Sequence, residues 1–393
     1  MRREKIVYLG NVGEPNSASA IHVHNRSLIL KELGYEIHAI CDTPKSKEKI
    51  LSDNVIKYHY MQPITGKGKI RGLKWNLDLL IANSSWPSAK KIIESIEPTF
   101  VILYEVNSVA LQNKLRRYCN EKNIKIIIET TEWMETEKER NLSANLIVSQ
   151  KDIQKKYTDK KCKNVIAISS FLENHYKSQR CNVICIPPTF PQFLEEGEVV
   201  RKKDQRCGAN IKLVFAGSLS NKDYLKELIE ALMVINKEDI RISFDVIGPS
   251  EEEIIHCVNE SNLLKYGIFV HGRKSHDDVL KIVKEADFSV LLRQNKRYAK
   301  AGVSTKFCEA MKLGVPSICT KVGGTDLFVQ HMQNGILVRD NSVETLIDAL
   351  QSILEMDQNK ILEMKQTAYQ YAEKEFSKEK YIDDMRNFIA QCK

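Results

Sequence analysis

Several things are missing from this 393-residue sequence. No apolar run approaches the roughly 18 residues that cross a bilayer as a helix. The start, Met1-Arg2-Arg3-Glu4-Lys5-Ile6, runs straight into a short strand pattern and lacks the apolar core of a secretory leader. There is no cysteine framework. The ten cysteines are scattered, several inside apolar patterns (Cys41, Cys185, Cys308, Cys319), and the close pair Cys181 and Cys185 has no companion. This usage reads as reduced cytosolic thiols. No His-x-x-x-His stands near an acid, so no metal site is expected. The glycines after the first strand, Gly10-Asn11-Val12-Gly13, are followed by Glu14 and Pro15, which is not the G-x-G-x-x-G fingerprint of dinucleotide binding.

What is present is a balanced globular composition, 28% charged and 42% hydrophobic, long enough for two domains. The net charge of +8 is unevenly spread. Residues 1–190 hold 30 basic and 20 acidic side chains, a net of +10; the remainder hold 29 and 31, a net of −2. No nucleic-acid reader motif accompanies the excess, so no nucleic-acid partner is expected. Eight basic residues fall within 45–74 (Lys45, Lys47, Lys49, Lys57, Lys67, Lys69, Arg71, Lys74), opposed by Glu48 and Asp53, with Trp75 and Trp86 close behind. Cations beside aromatics suit an anionic membrane surface; a solvated loop next to a buried tryptophan helix is the alternative.

Apolar strand patterns alternate with helical ones. Strands are expected over 5–9, 37–41, 99–104, 124–128, 165–169 and 182–186, with helices over 17–33, 108–119 and 171–179 between some of them. Pro187-Pro188, Pro191 and a charged stretch then break the pattern. Strands over 212–216, 242–247, 267–271, 288–292 and 316–320 follow, with helices over 222–235, 251–259, 277–284 and 305–313. Helices over 342–356, 360–376 and 380–389 close the chain. This is βαβ periodicity, and it predicts two α/β domains with mostly parallel sheets. Such sheets bind ligands at the carboxyl ends of their strands.

Candidate site residues gather at those ends. In the run Ala301 to Pro316, Ser304 or Thr305 caps a helix, Lys306 sits in its first turn, and Glu309 lies three residues further on. A phosphate at the helix start suits Lys306, and a carboxylate at 309 suits the vicinal diol of a ribose. An ordinary cap with surface Lys and Glu is the alternative. Gly323-Gly324 permits close approach of a phosphate or sugar, or makes a bare turn. Gly217 ends a strand shortly before Lys222, and Arg293 follows another strand; these cations suit a diphosphate leaving group. Glu129 and Glu132, directly after an apolar strand, are candidates for acid–base chemistry or sugar binding, or are structural acids. His22 and His24 lie two apart early in a helix, so one of them faces the site.

Taken in order, these segments resemble the retaining, nucleotide-sugar-dependent glycosyltransferases of family 4 type, including bacterial capsular and lipopolysaccharide transferases. The resemblance is strongest over 211–340: Phe215-Ala216-Gly217-Ser218-Leu219 with Lys222, Val246-Ile247-Gly248, Phe269-Val270-His271-Gly272, Ala286-Asp287, Glu309-Ala310-Met311 with Gly314-Val315-Pro316, Gly323-Gly324 and Asn334-Gly335. It implies the GT-B fold, two Rossmann-like α/β/α domains facing across a cleft, with a C-terminal helix crossing back to the first. On this reading residues 1–188 bind the acceptor, 189–209 are the linker, 210–376 bind the donor, and 377–393 are the returning helix. It implies that Glu309 binds the ribose, that Lys222 binds the diphosphate, that the turn near Gly13 approaches the donor phosphates or the acceptor, and that Gly248 lies on the nucleotide side.

Two departures stand out. The family's first glutamate, separated from the second by seven intervening residues, is Ala301 here, counting back from Glu309, and the arginine beside the first glycine motif is Ser218. Arg293 or Lys306 is the expected replacement for that arginine's charge. The expected activity is hexosyl transfer from a nucleotide diphosphate sugar, UDP-linked, to a saccharide or lipid-linked saccharide. It needs no metal and takes place in the cytoplasm, at the inner face of the cell membrane. A nucleotide-sugar epimerase and a non-catalytic nucleotide-sugar-binding protein remain open alternatives; the missing glutamate makes the latter plausible.

Overall fold

The apolar runs fold as short parallel strands buried on both faces, which is why they read as nearly continuous Val, Ile and Leu. The computed structural model describes residues 3–13, 17–41, 52–62, 64, 68–136, 141–193, 211–219 and 223–392. The chain divides into unit 1, Met1–Pro191 with Lys378–Lys393, and unit 2, Gln192–Ser377. Most of the expected linker lies outside the described residues.

Unit 1 holds β1 (Lys5–Gly10), β2 (Glu36–Cys41), β3 (Ile56–Tyr60), β4 (Phe100–Tyr104), β5 (Lys125–Thr130), β6 (Asn164–Ala167) and β7 (Asn182–Cys185). They form one parallel sheet in the order β3-β2-β1-β4-β5-β6-β7. Ile6 stands opposite both Ile37 and Phe100, which fixes the register at the centre. β3 is not among the strands expected from sequence. It is an edge strand with one exposed and two half-buried positions out of five, so its run Ile-Lys-Tyr-His-Tyr lacks the apolar continuity of its neighbours.

Unit 2 holds β8 (Ile211–Ala216), β9 (Ile242–Ile247), β10 (Ile268–Gly272), β11 (Phe288–Leu291), β12 (Ser317–Thr320) and β13 (Gly335–Val338). The sheet is again parallel, in the order β10-β9-β8-β11-β12-β13. β13 escapes a sequence pattern because it is four residues long and opens on glycine. One face packs on the helices Leu225–Ile235 and Val343–Leu354, through Leu228, Leu232, Leu346 and Leu350. The other packs on the helices His276–Lys284 and Thr305–Lys312, through Val283 and Ala310. The helix expected from Lys222 begins at Leu225.

Serines cap many of these helices. Ser17 accepts from the Ala20 N–H at 3.2 Å and Ser304 from that of Phe307 at 3.4 Å. The last helix, Ile382–Ala390, belongs to unit 1, where Met385, Phe388 and Ile389 join the core around Ile6, Tyr8 and Ile29. Phe388→Ala removes a ring that is 4% exposed. It is expected to cost about 3–5 kcal/mol, read by chemical denaturation as a loss confined to the unit 1 transition.

Candidate functional site

Both sheets reverse their strand order once, between β1 and β4 and between β8 and β11. The chain leaves the two strands of such a pair toward opposite faces, and a crevice opens at their carboxyl ends.

In unit 2 that crevice gathers the predicted cations. Gly217 follows β8, and a Cβ built on it would lie 3.3 Å from Lys306 Nζ. Arg293 follows β11; its Nε lies 3.2 Å from Asp223 Oδ1. Its backbone is pinned to β12, the N–H donating to Thr320 Oγ1 at 2.9 Å, while Thr320 Oγ1 donates to its carbonyl at 3.1 Å. Lys306 keeps an exposed surface, yet the protein packed around its ammonium lowers its pKa. Asp223 and Glu309 oppose that shift and Arg293 reinforces it. Lys306, Arg293 and Asp223 are therefore one electrostatic cluster. Lys222 lies outside the described residues, directly before Asp223.

Glu309 sits on the same helix as Lys306, with its side chain 15% exposed. Burial raises its pKa, opposed by His276, Lys312 and Lys306. His276 Nε2 is 3.5 Å from Glu309 Oε1, a partner that sequence did not signal because it stands on another helix. Two glycines are dictated by close approach. Gly248 has φ +119°, and a Cβ there would fall 1.8 Å from the Gly217 carbonyl oxygen. Gly323 has φ +66°, and a Cβ would fall 2.1 Å from that of Ala299. Gly324 begins the turn Thr325–Phe328, and Thr325 Oγ1 ties this turn to β12 by donating to the Thr320 carbonyl at 2.6 Å. Ala301, where the resemblance expects a glutamate, is fully buried.

Unit 1 places Gly13 just before the segment 14–16, which is outside the described residues. Glu129, at the end of β5, is 1% exposed. It accepts from Tyr8 Oη at 3.0 Å and from Arg26 Nε at 3.1 Å, and His22 Nε2 lies 2.8 Å from it. Burial pushes its pKa up, but His22 and Arg26 overcome this and bring it to about 2. Bonded to three donors and buried, Glu129 has the surroundings of the structural acid that is one of its readings. Its effect is to fix His22, which stacks on Tyr104 at 5.4 Å; His24 instead lies 3.3 Å from Asp53.

Glu132 is half exposed and pairs with Lys151 at 2.7 Å. Lys151 reaches a second buried acid, Glu105, at 3.1 Å, and Lys155 approaches it at 3.4 Å. Glu105 has φ +45°, a backbone cost that the Thr131 N–H, donating at 2.7 Å, helps to hold. Burial raises its pKa, and Lys155 and Lys151 outweigh that, holding it at about 2. Glu105 follows β4 just as Glu129 ends the apolar run of β5, so the same sequence signal would have found it. Among the described residues no group of three His, Cys, Asp or Glu is placed to hold a metal, the nine described cysteines are free, and no helix is long and apolar enough to cross a membrane.

Residues 198–375 match the model of the family described as glycosyl transferases group 1, so unit 2 carries a domain of that family. Over 201 residues the chain is 26% identical to the uncharacterized glycosyltransferase MJ1069 of Methanocaldococcus jannaschii, a match covering half of each protein. Among solved structures, sucrose-phosphate synthase of Thermosynechococcus elongatus aligns with a TM-score of 0.75 at 16% identity, covering 99% of both chains. HepE of Anabaena, solved with UDP and glucose, aligns at 0.64 and 14% identity, covering 99% of this chain and 100% of its own. A mutant of S. aureus TarM, in complex with fondaparinux, α-GlcNAc-glycerol and UDP, aligns at 0.70 and 12% identity, covering 98% and 99%. At these identities the structural likenesses establish the fold, which is GT-B, with two Rossmann-like α/β/α units.

The buried Glu129–Arg26 pair generates a pH prediction. A carboxyl lowered from 4.5 to about 2 stabilises the folded state above pH 4.5, and that contribution is lost as pH falls toward 2. Glu129→Gln leaves Arg26 buried without its anion and is expected to cost about 3–5 kcal/mol at pH 7. In denaturation curves across pH, the gap from wild type is expected to close between pH 4.5 and about 2.

Proposed function

Because unit 2 carries a glycosyl transferases group 1 domain, we propose that the chain transfers a hexosyl residue from a nucleotide diphosphate sugar to a saccharide hydroxyl, with retention of configuration. The observation that carries this reading is the meeting of Gly217, Lys306 and Arg293 at the β8/β11 reversal, with Glu309 on the Lys306 helix. Lys306, Arg293 and Lys222 receive the diphosphate, Glu309 receives the ribose hydroxyls, and Gly248, Gly323 and Gly324 let the backbone approach the donor.

The C1–oxygen bond to the diphosphate breaks as the acceptor oxygen bonds to C1 from the same face. The departing phosphate takes the acceptor proton, so no protein base is required, and the cations stabilise the charge that develops on it. UDP is the proposed carrier; the complexes of HepE with UDP-glucose and of TarM with UDP and α-GlcNAc-glycerol support UDP and an α product. The acceptor is proposed to be a lipid-linked saccharide in cell-surface polysaccharide assembly, met at an anionic cytoplasmic membrane face by the basic unit 1. The +10 charge of residues 1–190 supports that part.

Calorimetry with a nucleotide-sugar panel tests the site. Charge-assisted hydrogen bonds are worth about 1.5–3 kcal/mol, so Lys306→Ala, Glu309→Ala and Lys222→Ala are each expected to weaken donor binding roughly 10- to 150-fold. Unchanged affinity in all three variants would refute the assignment. The buried Ala301 favours one rival, a nucleotide-sugar-binding protein without turnover. Donor binding with no product across an acceptor screen would establish that rival instead.

A further inference from the structure

The helix Gly68–Ile81 is apolar on two opposite faces. One face carries buried Asp78 and Leu79 and half-buried Trp75, and the helix packs against the helix Val109–Glu121. At 3.6 residues per turn, Ile70, Leu73, Leu77, Leu80 and Ile81 fall together on the face turned away from it. All five are exposed, Leu73 by 72% and Ile70 by 64%. A sixth apolar residue, Leu142, 82% exposed, stands beside the helix, because its neighbour Ser143 donates to Asn76 Oδ1 at 3.0 Å. A contiguous apolar patch of this kind marks an interaction surface.

Its borders say which kind. By the same helical geometry Lys69 flanks the stripe on one side and Lys74 on the other, and both are exposed, as is Arg71 nearer the helix start. The helix shows no exposed acid. Its one carboxylate, Asp78, is turned inward and accepts from the Ser84 and Ser85 N–H groups at 2.5 and 3.1 Å. A groove of about 870 Å³ runs along the flank, with Lys74 and Lys91 among its lining residues. Lysines at the edge of an apolar stripe can lay their stems along it and keep their ammonium groups at the level of lipid phosphates. A two-fold related copy of the chain would instead set cation against cation.

We propose that the outward face of Gly68–Ile81, extended by Leu142, is the surface by which unit 1 lies on an anionic lipid bilayer, its leucines in the acyl boundary and Lys69 and Lys74 among the headgroup phosphates. This rests on the membrane-facing part of the proposed function and not on its transfer chemistry.

Co-sedimentation of the full chain with vesicles tests it, using phosphatidylglycerol–phosphatidylcholine mixtures and phosphatidylcholine alone, at low and high salt. The wild type is expected to bind the anionic vesicles, less at high salt, and to bind neutral ones weakly. Leu73→Gln/Leu77→Gln/Leu80→Gln is expected to lower partitioning at least about tenfold. Lys69→Gln/Lys74→Gln is expected to reduce the preference for anionic lipid. Both variants should keep the wild-type melting temperature and donor affinity, since all these side chains are exposed. Wild type left in the supernatant would overturn both this inference and the membrane part of the proposed function, whatever the donor panel shows. Wild-type binding matched by the leucine variant would overturn this inference alone. A dimer seen by light scattering and abolished in the leucine variant would reassign the face to a second copy.

Discussion

The reversal of strand order beside β8 is the constraint on which the geometry of the unit 2 crevice depends. β8 and β11 are neighbours in the sheet, yet the chain runs from β8 toward β9 and from β11 toward β12. Right-handed crossovers then send the following helices to opposite faces, Leu225–Ile235 to one and Thr305–Lys312 to the other. Side chains from both sides meet at the ends of the two strands, where Asp223 and Arg293 also pair as an isolated antiparallel bridge. Lys306 arrives from one helix, Asp223 precedes the other, and Arg293 leaves β11 between them. Gly248 extends the geometry to β9, since a side chain at 248 would collide with the Gly217 carbonyl.

Unit 1 meets the same constraint between β1 and β4 with different chemistry. Its crevice is backed by buried ion pairs rather than by accessible cations. Glu129 is fixed by Arg26, Tyr8 and His22, and Arg26 also donates to the Ile186 carbonyl at 2.9 Å, tying β5 to the end of the β7 segment. Glu105 is fixed by two lysines and a backbone N–H. Replacing either acid strands a buried cation, which costs more than the pair itself contributes. These residues hold loops and the His22 ring in place, and exposed lysines of unit 1 stand elsewhere, among them Lys69 and Lys74 of Gly68–Ile81.

The fold was legible where apolar runs were long and central. β1, β2, β4, β5, β8 and β9 are recovered within a residue or two, because a strand buried on both faces has only apolar side chains to offer. β3 and β13 are not: β3 carries Lys57 and His59 in its run and β13 is four residues long and opens on glycine, whereas the edge strands β7 and β10 are recovered as well. A helix around Trp75 is one of two readings of its segment, and it is present as Gly68–Ile81; Ser85–Ile96 is not among the expected helices, its apolar positions being interrupted by serines and lysines. At the site, Lys306, Glu309 and Arg293 could be named because each stands at a fixed offset from a strand or a cap. Their partners could not. His276 comes from a separate helix and Asp223 from across the crevice, and pairing over such distances in sequence leaves no local pattern.

The Arg293–Asp223 pair explains how a cation cluster persists in a crevice before any anion arrives. Two adjacent cations, Arg293 and Lys306, repel; partial desolvation lowers the Lys306 pKa, and Arg293 adds to that shift. Asp223 offsets the repulsion and orients the guanidinium, while Thr320 fixes the backbone that carries it. The three described charges sum to one positive charge. In the proposed donor complex the diphosphate meets two cations, one of which Asp223 and Thr320 have already positioned. A site arranged this way spends little on reorganising its cations when the anion binds, because Asp223 has already held one of them in place.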